Sequence, residues 1–308
     1  MSDPAGHDAG GGAPGNRAAE PGGAPWRAGL HSFFEGRGRE VGARPSLEDL
    51  CYVAGRDPRL WRDEALRADL GDSILRALEA GPRSRVLEVG AAAGFLASLV
   101  APRVGAYVGV DLAEAPLRVA RRLGLPNARF EPADGARLPF PDAAFDAAFL
   151  YDVVTNLPSV EDVAPLVAEM LRVVRPGGAV LVGSVPDRAA GPLIAERARE
   201  VSARLEAEHG PLAPRAPAEF STLESASSAP TPLQRLLARF GLARGPAAEP
   251  DPGPPPTADP SIVCFDFSRA EFEALGPRLG AEVRIEDIHA RNPYRGLRFN
   301  AVFRRPPA

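Results

Sequence analysis

The sequence predicts a doubly wound α/β fold: a mostly parallel sheet of seven strands whose last strand runs antiparallel. Three observations predict it. From about residue 64 to 190, short apolar runs alternate with amphipathic segments, and strand and helix taking turns requires crossovers that cover a parallel sheet on both faces. Acidic residues sit at the ends of three of those runs, at Glu88, Asp111 and Asp134. Two further strand-like runs near the end of the chain are joined by the short link "RNPYRG", which suits a hairpin and turns the final strand against the others.

Residues 1–25 hold 17 Gly, Ala or Pro and show no apolar periodicity, the composition of a disordered tail. Residues 26–60 form an N-terminal cap segment, in which "SLEDLCYVAG" reads as a short helix capped by Ser46. The main domain spans 61–308. It opens with "LWRDEALRADLGDSILRAL", where Leu66, Leu70, Ile74 and Leu78 recur on one helix face. Then follow strand "RVLEV", helix "GFLASLVA", strand "AYVGVD", helix "APLRVARRLG", a short strand at "ARFEPAD", strand "FDAAFLY", helix "VEDVAPLVAEMLRVV" and strand "AVLVGSV". Between the last two, "RPGG" from Arg175 to Gly178 stops the helix at Val174 and turns the chain into the strand. The helix "DRAAGPLIAERAREVSARLEAE" carries little apolar surface and is expected to be exposed. Residues 211–260 hold 12 of the 34 prolines, so they read as a Pro-rich insertion with one short helix at "TPLQRLLARFGLA". A Ser268–Glu271 capping box starts "SRAEFEALGPRLG", and the strands "AEVRIEDIHA" and "LRFNAVFRR" complete a Rossmann-like sheet.

Composition removes several function classes. A net charge of −4 gives no general attraction to nucleic acid or to an anionic membrane. All 36 basic residues are Arg, which beside the abundance of Ala, Gly and Pro reflects GC-rich coding more than selection for Arg. Cys51 and Cys264 lie too far apart for a disulfide framework or zinc spacing, and His7, His31, His209 and His289 show no paired ligand spacing, so no metal is expected. No run approaches the roughly 18 apolar residues of a membrane span. The opening "MSDPAGHDAGGGAPG" lacks the basic-then-apolar order of a signal peptide. A cytoplasmic protein is the expectation.

Ligands of an open parallel sheet sit at the carboxyl ends of its strands. Glu88, Asp111 and Asp134 occupy such ends at even spacings of 23 residues, about one strand–helix unit each. Gly90 and Gly94 flank a turn of small residues that lets backbone approach a ligand. A dinucleotide fits poorly. Its fingerprint needs a third glycine, and an acid before the loop would repel a pyrophosphate. An acid there suits a cationic or hydrogen-bond-donating ligand.

Four blocks in order, "VLEVGAAAGFLASLV", "YVGVDLAEAPLRVAR", "DGARLPFPDAAFDAAFLYDVVTNLP" and "LRVVRPGGAVLVGSV", resemble the class I S-adenosylmethionine-dependent methyltransferases. The likeness is to the small-molecule group that includes the ubiquinone and menaquinone biosynthesis enzymes, and it covers roughly residues 60–190. Ala92 departs from it, standing where that loop usually has a glycine. The resemblance implies S-adenosylmethionine as cofactor, with Glu88 and the loop Gly90, Ala92, Gly94 holding its methionine end. It further implies that Asp111 accepts from the ribose hydroxyls, Leu112 packs on the adenine, and Asp134 takes the adenine amino group. Gly135 or Ala136 would offer a backbone N–H to the ring, and Tyr151 would approach the methionine portion.

The implied reaction moves a methyl group to an O, N or C atom of a small-molecule acceptor above the fourth and fifth strands. Candidates for acceptor contact are Asp152, Thr155, Asn156 and Ser184, with Asp187 beyond them. Many relatives have His where Asn156 stands, and Asn cannot act as a base. His289 is the candidate general base, its ordinary pKa being near ~6.5; its other reading is local packing at a strand end. Arg291, Asn292, Tyr294 and Arg295 crowd the same turn, and Tyr52 and Trp61 are candidate lid residues. A second reading keeps the fold without catalysis, as a cofactor sensor or partner-binding subunit. Nucleic acid is not an expected partner: the chain lacks a basic stripe and has "YDVV" after the fourth strand.

Overall fold

The structure, a computed structural model, describes residues 25–212 and 264–307. The Gly-rich tail and most of the Pro-rich insertion, including the helix expected at 231–243, lie outside the described residues. The elements in chain order are α1 (Pro25–Glu40), α2 (Leu47–Val53), α3 (Pro58–Trp61), α4 (Glu64–Leu78), β1 (Arg85–Val89), α5 (Phe95–Val100), β2 (Ala106–Asp111), α6 (Glu114–Arg121), β3 (Ala128–Pro132) and β4 (Phe145–Tyr151). After them come α7 (Val160–Val173), β5 (Val174–Pro186), α8 (Gly191–His209), α9 (Arg269–Arg278), β6 (Glu282–Asp287) and β7 (Arg298–Arg304).

The seven strands form one sheet in the order β3-β2-β1-β4-β5-β7-β6. β7 pairs antiparallel with both β5 and β6, and the remaining strands run one way. Chain order runs outward from β1 to β3 and then returns to β4, so the β1/β4 boundary is the topological switch point where such sheets open a crevice. One apolar layer packs Leu70, Ile74, Phe95 and Leu117 of α4, α5 and α6 on one face. The opposite face is covered by Val163, Val167 and Met170 of α7 with Phe272 and Leu275 of α9. All four leucines and isoleucines of the α4 stripe are buried, as their spacing requires.

Three local features differ from the sequence reading. The run beginning at Leu60 is two helices, because the Asp63 carboxylate accepts from the N–H groups of Ala65 and Leu66 and starts α4 afresh. "RPGG" lies inside β5: Val174 already pairs with Phe145, and the register then jumps to Ala147–Ala179, a bulge at the edge of the ladder. The closing link covers residues 288–297, and Ile288, Tyr294 and Leu297 are buried in it against Ala190 and Ile194. In addition, α1 had no periodic signal. It docks through Glu35, whose carboxylate accepts from the Ala115 N–H at 2.9 Å and so caps α6, which has no side-chain cap of its own.

Candidate active site

At the carboxyl ends of β1, β2 and β4 lies a cavity of about 170 Å3. Its floor is the β1–α5 turn. Gly90 and Gly94 both have left-handed backbone, at φ +83° and +82°. A Cβ at Gly90 would lie 2.5 Å from Val153 Cγ2, and one at Gly94 2.8 Å from Leu123 Cδ1, so a side chain at either position would be strained and would displace a neighbour. Ala92 between them also sits at positive φ, +42°, which costs an L-residue on the order of 1–2 kcal/mol. The strained turn is anchored by Asp111, whose carboxylate accepts the Ala92 N–H at 2.9 Å.

Asp111 ends β2 and also accepts from Ala113 N–H at 3.0 Å. Burial raises its pKa, and the backbone donors Ala113, Ala92 and Leu112 pull the other way. Beside it Leu112 is 52% exposed, one of two large apolar side chains among the described residues, with Leu193, that stand out in solvent. Glu88 is 1% exposed. It points to the same sheet face as Tyr107, whose hydroxyl donates to its carboxylate. Burial pushes the Glu88 carboxyl up to about 8; the Tyr107 hydrogen bond opposes that, the Asp111 charge adds to it, and Arg56 opposes it. Asp134 accepts the Ala136 N–H at 2.9 Å, an Asx turn that leaves Gly135 lining the cavity. Tyr151 is buried at the end of β4 and lines the same space.

The structure therefore brings Glu88, Gly90, Ala92, Asp111, Leu112, Asp134, Gly135, Tyr151, Asp152 and Asn156 around one cavity. Gly94 shapes the turn from behind. Ala136 is a correction: its N–H is committed to Asp134. Thr155 is another, being buried with its hydroxyl donating to the Asp152 carbonyl, away from the lining. Ser184 is buried too; its hydroxyl accepts from Arg298 at 2.7 Å and its N–H donates to Asn300 at 3.0 Å. Asp187 accepts from Ala189 N–H and pairs with Arg269 at 2.7 Å, a structural role.

His289 does not face the cavity. Its Nδ1 lies 3.2 Å from Asp69 and its Nε2 3.0 Å from the Asn292 amide, so both ring nitrogens have local partners. Burial lowers its pKa despite the nearby Asp69 carboxylate. A base needs reach to a substrate proton, and this side chain serves packing instead. Trp61 likewise belongs to the core, stacked edge-on to Phe95, and the Tyr52 hydroxyl donates to Glu40 at 2.7 Å. Neither lines the cavity.

Sequence reasoning missed the residues that close the site from the N-terminal side. Leu30, His31 and Phe34 of α1 line it, as does Arg56 between α2 and α3. The signal for Arg56 was present: "YVAGR" places glycine just past a helix end and arginine next. No signal marked α1. Among the described residues, no group of His, Cys, Asp and Glu is arranged to hold a metal, and no helix is long and apolar enough to cross a membrane.

A sheet with β7 inserted antiparallel between β5 and β6, and a glycine turn and strand-end acids at the switch point, is the arrangement that the resemblance of the sequence to class I methyltransferases implies. Residues 87–182 match the family described as "Methyltransferase domain". The chain is 36% identical over 153 residues to a demethylmenaquinone methyltransferase of Thermus thermophilus, covering 48% of this chain and 63% of that protein. To a ubiquinone biosynthesis O-methyltransferase of Hahella chejuensis it is 36% identical over 107 residues, 34% of this chain and 44% of that one. The chain thus spans less than two thirds of either relative. The DhpI–S-adenosylhomocysteine complex shares the fold, with a TM-score of 0.51 at 16% identity over 91% of this chain and 97% of that one.

Proposed function

We propose that the chain is an S-adenosylmethionine-dependent methyltransferase acting on a small-molecule acceptor. The observation that carries this reading is the single cavity in which Glu88, Asp111 and Asp134 surround a turn stripped of side chains. The lining fits that cofactor. Asp111 stands where two ribose hydroxyls would donate to it, the exposed Leu112 offers an apolar face for adenine, and Asp134 an acceptor for the adenine amino group. Glu88 answers the amino group of the methionine end. When bound, the cofactor supplies an electrophilic methyl carbon.

What the chain contributes is placement and exclusion of water. Residues 26–60 act as a cap, with Leu30 and Phe34 lining the same cavity as Val153, Leu157 and Leu166. The acceptor approaches beside Asp152 and Asn156, on the β4 side. This apolar cap suits a flat ring, and the names of the two relatives point to quinone-type rings as the first class to try. The test is incubation with S-adenosylmethionine and a panel of hydroxylated aromatic acceptors, read as S-adenosylhomocysteine formed. Acceptor-dependent formation is the expected result; absence of any binding of S-adenosylmethionine in equilibrium dialysis would contradict the reading.

A further inference from the structure

We propose that His31 of α1 is the general base of the reaction, taking the proton of a hydroxyl group on an aromatic acceptor as the methyl group is transferred. The inference rests on the cofactor reading above and deepens it, because it narrows the acceptor atom to a hydroxyl oxygen. A sulfonium gives up its methyl group as a cation, so transfer to a neutral hydroxyl leaves one proton to be removed. An amine attacks through its free electron pair and needs no base before the bond forms. A free base in the cavity therefore argues for a hydroxyl.

Elimination among the side chains that line the cavity leaves His31. Glu88 accepts from the Tyr107 hydroxyl, Asp111 from the Ala92 and Ala113 N–H groups, and Asp134 from the Ala136 N–H. The two Asp152 oxygens are taken by Arg56 and Arg298. Burial raises the pKa of the Tyr151 hydroxyl, and the Asp152 charge adds to the rise, so it keeps its proton. The Asn156 amide donates to the Val153 carbonyl and has no basic nitrogen. His31 makes no hydrogen bond to another described residue and is exposed at the cavity. An imidazole is the side chain best matched to proton exchange near neutral pH.

The helix that carries it is fixed in place. Leu30, His31 and Phe34 share one face of α1 by their spacing, and all three line the cavity. Behind that face Glu35 caps α6 through the Ala115 N–H and lies 3.9 Å from Arg118. A Cβ at Gly38 would fall 2.4 Å from the Pro116 nitrogen, so the α1 backbone rests directly on the start of α6. Arg122 then donates to the Val41 and Gly42 carbonyls just past the helix end. Burial raises the Asp111 pKa, and the His31 charge is among the effects opposing that rise, so the two groups act on each other. In the step, the hydroxyl oxygen bonds the methyl carbon, the carbon–sulfur bond breaks with its electron pair left on sulfur, and the O–H proton goes to a ring nitrogen of His31. The Asp111 carboxylate favours the imidazolium so formed, and the exposed ring passes its proton on to water.

The test uses His31→Ala, a change at an exposed helix position where alanine favours the helix. Wild type and variant are assayed with S-adenosylmethionine on a series of phenols graded in acidity, ending in nitrophenols held above their own pKa so that they arrive ionised. His31→Ala is expected to lose about 100- to 1,000-fold in kcat on the weakly acidic phenols and less than about threefold on the ionised ones. Added imidazole should restore part of the lost rate. Calorimetric titration with S-adenosylhomocysteine should give the variant an affinity within about threefold of wild type, since a base for the acceptor does not hold the cofactor. An equal loss across the series, no loss at all, no transfer by the wild type to any phenol, or cofactor-product binding weakened about tenfold or more overturns the role of His31. Wild-type binding of S-adenosylhomocysteine in those cases leaves the cofactor reading standing. Failure of the wild type to bind it overturns the cofactor reading and this inference with it.

Discussion

Polar residues at the two sides of the cavity rim behave differently. At the ends of β1 and β2, Glu88 and Asp111 line the cavity. At the ends of β4 and β5, polar groups largely satisfy one another: Asp152 bonds Arg56 and Arg298, and Ser184 bonds Arg298 and Asn300. The cause is topological. β7 enters between β5 and β6 and carries Arg298 and Asn300, 1% and 0% exposed, into the interior. A buried guanidinium needs partners, and it takes them from the nearest strand ends. The β1–β2 side has no inserted strand, and its acids line the cavity while bonding, among the described residues, only Tyr107 and the backbone of the adjoining turns.

That contrast can be broken most forcefully at Arg298. Arg298→Leu removes one member of a buried ion pair, and chemical denaturation should show a loss of about 3–5 kcal/mol. A loss below about 1 kcal/mol would mean that the β5–β7 network is not what holds this half together.

Glu88 gives the next test, on the open side. Its folded carboxyl keeps its proton to about pH 8, whereas an unfolded glutamate releases it near ~4.3. Between those values the folded state holds the extra proton. Stability from this group is therefore full below the unfolded value and is lost as pH rises to about 8. Thermal unfolding against pH should show that slope flattened in Glu88→Gln. Binding of an ammonium-bearing ligand at neutral pH should also release a proton from Glu88, seen as binding heat that varies with the buffer's ionisation enthalpy. Heat independent of buffer would contradict the assignment.

The smallest effect is expected at Ala92. Its φ of +42° is left-handed, and Ala92→Gly should stabilise the folded state by up to about 1 kcal/mol, relief of strain being partly offset by the entropy of glycine in the unfolded chain. A lower melting temperature in this variant would show that the alanine methyl packs usefully in the turn.

Much of this was legible in the sequence, for definite reasons. Strands such as "RVLEV" and "FDAAFLY" are apolar runs bounded by turns, and the structure places them at Arg85–Val89 and Phe145–Tyr151. The acids Glu88, Asp111 and Asp134 were legible because local chain chemistry puts them beside turns. Of the two readings of His289, base or local packing, the sequence could not decide because one partner, Asp69, lies on α4, far away in sequence. Ser184 failed for the same reason, its surroundings being set by β7, whereas the Thr155 hydroxyl turns back to the Asp152 carbonyl three residues earlier. The docking of α1 was invisible, since it depends on a carboxylate reaching a distant helix end rather than on a stripe of apolar residues.

The most direct measurement is calorimetric titration of S-adenosylhomocysteine into the wild-type chain, Asp111→Ala and His289→Gln. Asp111→Ala removes charge-assisted ribose bonds, so its affinity should fall about 100-fold, while His289→Gln should bind within about threefold of wild type. Equal affinity in wild type and Asp111→Ala, or a loss in His289→Gln as large as that in Asp111→Ala, would contradict the division between an open, ligand-facing side and a closed, self-satisfied one.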